Sequence, residues 1–122
     1  MKSKWVSHQG HEIFYYNYTD FGQDAEGLKA EIEAAQSVIE QQPENSMLIL
    51  VDIQGTVVSR EVSALIKENA SRTKPYAKKV AVVGVKGVVR VIADSIGRLT
   101  RGTPQTFFDT LEEAKDWLIS TE

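Results

Sequence analysis

Residues 47–56 read Met47-Leu48-Ile49-Leu50-Val51-Asp52-Ile53-Gln54-Gly55-Thr56. A short unbroken apolar run that ends in a polar, glycine-containing loop is typical of a strand covered on both faces of a parallel sheet. In open α/β sheets, ligands and partners meet the loops at the carboxyl ends of the strands. The stretch therefore predicts both the fold class and the edge of the sheet at which to look for function.

Strand and helix patterns alternate along the rest of the chain. The predicted strands span residues 4–8, 12–18, 47–53, 80–84 and 106–108, and the first two flank the turn Gln9-Gly10-His11. The predicted helices begin near residues 24, 59, 86 and 110, the second capped by Ser59 and the last by a Thr110/Glu113 capping box. The order β-β-α-β-α-β-α-β-α predicts an α/β fold with a mixed, mostly parallel five-stranded sheet packed with helices.

Composition limits the function classes. A chain of 122 residues without a linker or repeat is expected to form a single domain over residues 1–122. Without cysteine, it has no disulfide, thiolate metal site or cysteine nucleophile. No apolar run approaches the roughly 20 residues that span a bilayer, and no signal-peptide core follows the basic N-terminus. We therefore expect a cytoplasmic protein without integral membrane contact.

Charge is distributed unevenly along the chain. Residues 1–58 carry nine acids and three lysines, whereas residues 72–101 carry eight bases and a single acid. A basic segment attracts anionic partners, although charged runs usually form a solvated face. Because the whole chain is acidic, with a net charge of -3, we do not expect it to bind nucleic acid.

The polar residues after the central apolar run are the first candidates for function. Asp52 ends the predicted strand, where catalytic carboxylates often lie, but the sequence pairs it with no histidine, cysteine or second carboxylate. We expect it to bond to loop backbone instead. Ser59 is expected to cap the next helix through its hydroxyl, and Arg60 beside it either holds an anion or pairs with Glu61 or solvent.

A second candidate lies at the start of the predicted third helix. The segment Gly84-Val85-Lys86-Gly87 places backbone N–H groups and a lysine where a helix favours anions. It lacks the spacing of a P-loop, and an ordinary strand-to-helix turn has the same pattern. Lys86, Arg90, Asp94 and Arg98 are spaced by four residues and would lie on one mostly basic face of the helix. This spacing is also typical of a ladder of salt bridges that stabilises the helix.

The histidines give no metal prediction. His8 and His11 flank a hairpin turn, and no second ligand cluster is apparent in the sequence, so we interpret them as an exposed loop pair. We expect no metal, no cofactor and no catalytic residue. The predicted binding or regulatory residues are Asp52, Gly55, Thr56, Ser59, Arg60, Lys86, Gly87 and Arg90.

Three segments carry a family resemblance. They are Met47-Leu48-Ile49-Leu50-Val51-Asp52, then Lys74-Pro75-Tyr76-Ala77-Lys78-Lys79-Val80-Ala81-Val82-Val83-Gly84-Val85, and Phe108-Asp109-Thr110-Leu111-Glu112-Glu113-Ala114-Lys115-Asp116-Trp117-Leu118. Together with the order of elements, these three segments resemble the SpoIIAA-like family of small bacterial STAS-type domains, and the resemblance covers nearly the whole chain. The resemblance implies a STAS-like fold and a role in binding a regulatory protein partner.

The resemblance also implies a place for a phosphorylation switch. STAS-class antagonists of anti-sigma factors carry an Asp-Ser pair, then a small residue and glycine, where a helix begins after the central strand. Ser59 is nearest to that serine, but Val58 replaces the aspartate and Arg60-Glu61 replaces the small residue and glycine. This departure argues against a retained switch.

Two functions from different classes remain open. The preferred hypothesis is a non-enzymatic interaction module whose unidentified protein partner meets the loop after residues 47–53 and the helix at Ser59, with the predicted helix from Lys86 to Arg98 as an optional part of the same surface. The alternative is a carrier or sensor of a small anionic or lipid-like ligand, held near the aromatic side chains of Tyr16, Tyr18, Phe21 and Trp117. An uncovered strand edge also makes a homodimer an option.

Overall fold

The computed structural model describes residues 1–84 and 105–120. One five-stranded sheet runs through this part, in the order β1-β2-β3-β4-β5. The strands are β1 (Lys4–His8), β2 (His11–Asn17), β3 (Met47–Asp52), β4 (Ala77–Val83) and β5 (Gln105–Phe108). β1 pairs antiparallel with β2, and the other three pairings are parallel. The predicted α/β class and the mixed, mostly parallel sheet are confirmed.

Helices cover both faces of the sheet. The helices of the described part are α1 (Ala25–Ile39), α2 (Arg60–Thr73) and α3 (Leu111–Leu118). α1 and α2 pack on the face that carries Phe14, Tyr16 and Ile49. α3 packs on the opposite face, against Ile13 and Leu50. The apolar run of β3 is explained by this arrangement, because successive side chains of a strand point to opposite faces.

Several strand boundaries differ from the prediction by one to three residues, and two of these differences have a clear physical cause. β4 begins at Ala77, three residues before the apolar run, because Lys78 faces solvent and the buried ammonium of Lys79 donates to the carbonyl oxygen of Trp117 at 2.7 Å. A buried lysine with hydrogen-bond acceptors can lie inside a strand, although a hydrophobicity pattern does not predict it there. The first turn has only two residues, Gln9 and Gly10, both with positive φ as a type I′ hairpin requires.

Several predictions concern residues outside the described ranges, among them the predicted helix at residues 86–99. Lys86, Gly87 and Arg90, with Asp94 and Arg98 of the same basic face, lie there as well. Within the described ranges, no helix is both long enough and apolar enough to cross a membrane.

A buried carboxylate anchors the N-terminal segment to α1. The two oxygens of Glu31 accept hydrogen bonds from the backbone N–H groups of Lys2 and Ser3, each at 2.8 Å. Burial alone would raise the pKa of the Glu31 carboxyl, but these N–H donors and the nearby amino-terminal charge outweigh it and hold that pKa below its ordinary value. The ionised carboxylate is therefore the form that stabilises the fold.

Replacing Glu31 by glutamine is expected to lower the free energy of unfolding by about 2 kcal/mol at neutral pH, because the charge-assisted bonds to two backbone donors are lost. A depressed folded-state pKa contributes stability above the unfolded-state value, and that stability is lost as the pH falls through the folded-state pKa. The difference between wild type and E31Q should therefore vanish in acid. Urea denaturation at neutral and acidic pH measures it. Glu33→Gln, exposed on the same helix, is the matched control and should have little effect at either pH.

Candidate functional site

The loops after β2 and β3 lie side by side at the carboxyl edge of the sheet. We call residues 18–24 and 53–59 the paired loops, because the strand pairing continues into them. Backbone N–H groups of Tyr18, Asp20 and Gly22 donate to the carbonyl oxygens of Asp52, Gln54 and Gly55 at 2.9, 2.9 and 3.0 Å. Val57 then donates back to Gly22 at 2.8 Å. The carboxyl edge is thus held by backbone bonds rather than left as a free loop.

Thr56 joins the paired loops through its side chain. Its hydroxyl oxygen accepts from the backbone N–H of Phe21 at 3.1 Å and donates to the carbonyl oxygen of Tyr18. Both partners belong to the loop after β2, more than 30 residues earlier in the chain. The hydroxyl therefore has a structural role in this conformation.

Gly55 permits the close approach of the two loops. Its φ is +78°, and a Cβ at this position would lie 2.2 Å from Oδ1 and 3.1 Å from the backbone nitrogen of Asp20. A side chain here would meet the opposite loop directly. The role of Gly55 follows from this packing, since glycine adopts positive φ without steric cost.

Asp52 serves the loop that follows it. Its carboxylate is buried and accepts from the Tyr15 hydroxyl at 2.6 Å and from the backbone N–H and side-chain amide of Gln54, both at 3.1 Å. The predicted bond to loop backbone is present. Burial, the hydrogen bond to Asp52 and the negative charges of Asp52 and Asp20 together raise the pKa of Tyr15. Tyr15 therefore stays a neutral phenol that donates to Asp52.

Ser59 caps α2, as predicted. Its hydroxyl oxygen accepts from the backbone N–H of Val62 at 3.2 Å, and its carbonyl oxygen accepts from Ser63 at 2.8 Å. Arg60 opens the helix and is exposed, and in the described ranges its guanidinium forms no ion pair. A solvated arginine beside a capping serine offers a partner both charge and hydrogen-bond donors.

Val57 is a site residue that the sequence analysis missed. Its side chain is 49% exposed, while its neighbour Val58 packs against the core. Two adjacent valines in an extended loop could have signalled this, because alternate side chains point in opposite directions. Within the paired loops, Val57 lies two residues before Ser59, the cap of α2. We call the exposed residues Gln54, Gly55, Val57, Ser59 and Arg60 the carboxyl-edge surface.

A polar network and a small cavity lie beneath α1 and α2. The side-chain oxygen of Gln36 accepts from the Asn69 amide at 2.6 Å and from the Thr73 hydroxyl at 3.2 Å. The hydroxyl of Tyr18 donates to Asn69 at 3.1 Å, and that of Tyr16 lies 3.0 Å from the Thr73 hydroxyl. The adjacent cavity is about 30 Å³, the volume of about one water molecule.

The expected aromatic ligand site is not assembled in the structure. Tyr16 and Tyr18 line the cavity, but Trp117 lies on the opposite face of the sheet, with its ring 5.6 Å from that of Phe108. Phe21 packs against the same core cluster as Tyr16 and Tyr18 and contacts the ammonium of Lys2, but it does not line the cavity. The prediction that these four aromatic residues surround one ligand was wrong, because Trp117 belongs to α3, which covers the opposite face of the sheet.

Comparison with known proteins places this geometry in a family context. The SpoIIAA-like family model matches residues 21–119. A similar solved structure is that of an uncharacterized protein of the DUF3478 family with a SpoIIAA-like fold, from Shewanella loihica PV-4. The two chains are 20% identical, the match covers 95% of this chain and 91% of the other, and the TM-score is 0.62. A search of curated proteins found no match.

Proposed function

Because the chain belongs to the SpoIIAA-like family, we propose that it is a non-enzymatic regulatory module whose carboxyl-edge surface binds a protein partner. The observation that carries the proposal is the exposed Val57 on a loop held at both sides by backbone bonds. An apolar contact surrounded by polar residues is the usual composition of an interface. A loop that is already ordered loses little conformational entropy when it binds.

Charge at Ser59 would change this surface. A phosphate there would add a charge of about -1.5 to -2 at the N-terminus of α2, beside Arg60, where the helix dipole stabilises anions. The start of α2 does not require that modification, since the unmodified hydroxyl already caps the helix. Substitution by aspartate keeps an acceptor suited to capping and adds negative charge, so it separates the effect of charge from the effect of unfolding.

Site-specific photo-crosslinking in the native host tests the proposal. A photo-reactive amino acid in place of Val57 is expected to produce a discrete heavier species, which should weaken when Ser59→Asp is added. The matched control places the same amino acid at Ala34, which is exposed on α1. Equal species from positions 57 and 34, or none from position 57, would contradict a partner at the carboxyl-edge surface.

The alternative function, transport or sensing of a lipid-like ligand, has less support. Sites for such molecules usually enclose about 300–1,000 Å³, whereas the cavity beside Tyr16 and Tyr18 is about 30 Å³. The observation in its favour is the side-chain nitrogen of Gln36, which is buried beside the network and has no hydrogen-bond partner among residues 1–84 and 105–120. That nitrogen suits a water molecule or a small polar ligand better than an acyl chain.

A further inference from the structure

Three potential metal ligands from distant parts of the chain meet at the other edge of the sheet. His8 ends β1, and Glu112 and Asp116 lie on α3. The Nε2 atom of His8 is 2.8 Å from Oδ1 of Asp116, and one ligand atom from each of the three residues lies within 4.8 Å of the others. Because His8 pairs with the first residue of β2, the cluster lies at the amino end of the parallel strands, away from the carboxyl-edge surface.

Two local features of the fold bring these three side chains close together. Thr110 caps α3 by accepting from the backbone N–H of Glu113 at 3.2 Å, which sets where the helix begins. Residues four apart then lie on the same side of the helix, so Glu112 and Asp116 point in one direction. The buried side chains of Ala114 and Leu118 hold the helix on the sheet face that also carries Val6, two residues before His8.

Within the described ranges, no lysine or arginine neutralises the carboxylates of the cluster. In residues 1–84 and 105–120, neither Glu112 nor Asp116 forms an ion pair with a lysine or arginine. Like charges four apart on a helix destabilise it slightly, and His8 contacts the carboxylate of Asp116. A bound cation would neutralise both carboxylates at once.

We propose that His8, Glu112 and Asp116 bind a divalent transition-metal ion of the Zn²⁺ type. One imidazole nitrogen and two carboxylate oxygens are ligands that Zn²⁺ accepts at about 2.0–2.2 Å, with solvent completing the coordination. The side chain of His8 is only 13% exposed, so burial restricts its ring. The side chain of Asp116 is 61% exposed and is free to adjust. Binding requires small movements of the two exposed carboxylates and a His8 tautomer with its proton on Nδ1.

The site ties the end of β1 to α3. Ion binding should therefore raise the thermal unfolding temperature, since a ligand that binds only the folded state stabilises it. This readout is independent of any activity. It also does not depend on the protein partner proposed for the carboxyl-edge surface.

Titration calorimetry of Zn²⁺ into the tag-free full chain tests the inference. We expect one saturable site per chain and at least about a tenfold loss of affinity in His8→Gln and in Asp116→Asn. Glutamine at position 8 keeps a hydrogen-bonding group for Asp116, and circular dichroism verifies the fold. The matched control is His11→Gln, directly opposite His8 in the hairpin and outside the cluster. The absence of a saturable site, unchanged affinity in His8→Gln, or an equal loss in His11→Gln would overturn the proposal.

Discussion

The folded chain is expected to lose about 5 kcal/mol of its free energy of unfolding between neutral pH and pH 12 through two buried tyrosines. Tyr16 and Tyr18 are each 1% exposed. Burial raises the pKa of Tyr16 to about 12, partly offset by its hydrogen-bonding neighbours Thr73 and Asn69. Burial, with the nearby Tyr16 and Glu31, raises the pKa of Tyr18 well above its ordinary value.

The direction of the effect follows from proton counting. Above pH 10, the tyrosines of the unfolded chain lose their protons while Tyr16 and Tyr18 in the folded chain keep theirs. The unfolded state then binds fewer protons, so stability falls as pH rises, by about 1.4 kcal/mol per pH unit for each tyrosine. A total of about 5 kcal/mol is comparable with the whole stability of many domains. Unfolding is therefore expected in this alkaline range.

Two measurements on the same samples test this expectation. Ultraviolet absorbance measures the formation of tyrosinate, and circular dichroism measures unfolding. The ionisation of the buried tyrosines should occur at the same pH as the loss of the circular dichroism signal. Lysines also titrate at high pH, so the single variants Tyr16→Phe and Tyr18→Phe are needed. Each should reduce the pH slope of stability by about 1.4 kcal/mol per pH unit, whatever its effect at neutral pH. Ionisation of Tyr16 and Tyr18 at their ordinary pKa in a chain that remains folded would contradict the prediction.

Local sequence patterns predicted the elements of this fold because the physical causes are themselves local. The apolar run at residues 47–53, the Ser59 cap and the Thr110 cap each depend on neighbours within a few positions, and each is present. The resemblance to the SpoIIAA-like family is confirmed by the family match. The strand order was left open, since local patterns do not specify which strands become neighbours.

The contacts that build the sites depend on register between distant segments. Thr56 meets Tyr18 and Phe21 only because β2 and β3 pair as they do, from Ile13 with Leu48 onward. His8 meets Asp116 across 108 positions of sequence. Nothing in the spacing of either pair signals the contact. The interpretation of His8 as an exposed loop residue failed for the same reason, since α3 covers most of its side chain.

Replacing Gly84 by alanine is expected to cost about 3 kcal/mol of the free energy of unfolding, from two separate sources. Gly84 follows β4 with a φ of +91°, a conformation that L-amino acids rarely adopt. A Cβ there would also lie 2.7 Å from the backbone nitrogen of Gln54 and 2.5 Å from its Cγ. The side chain of Gln54 can move aside, but its backbone nitrogen is held by the bond to Asp52 at 3.1 Å.

Gly10→Ala is the matched control, because Gly10 has a similar φ of +83° and no atom within 4 Å of its ideal Cβ. It carries only the conformational cost, about 1–2 kcal/mol. The difference between the two variants in urea denaturation therefore isolates the steric conflict with Gln54. Equal losses would show that the backbone of Gln54 yields without cost, and would contradict the view that the bond to Asp52 holds it in place. If the conflict is real, Gly84→Ala should also displace the loop that carries Val57. The amide resonances of Gln54 and Val57 should then shift in the folded variant, with no such shift in Gly10→Ala.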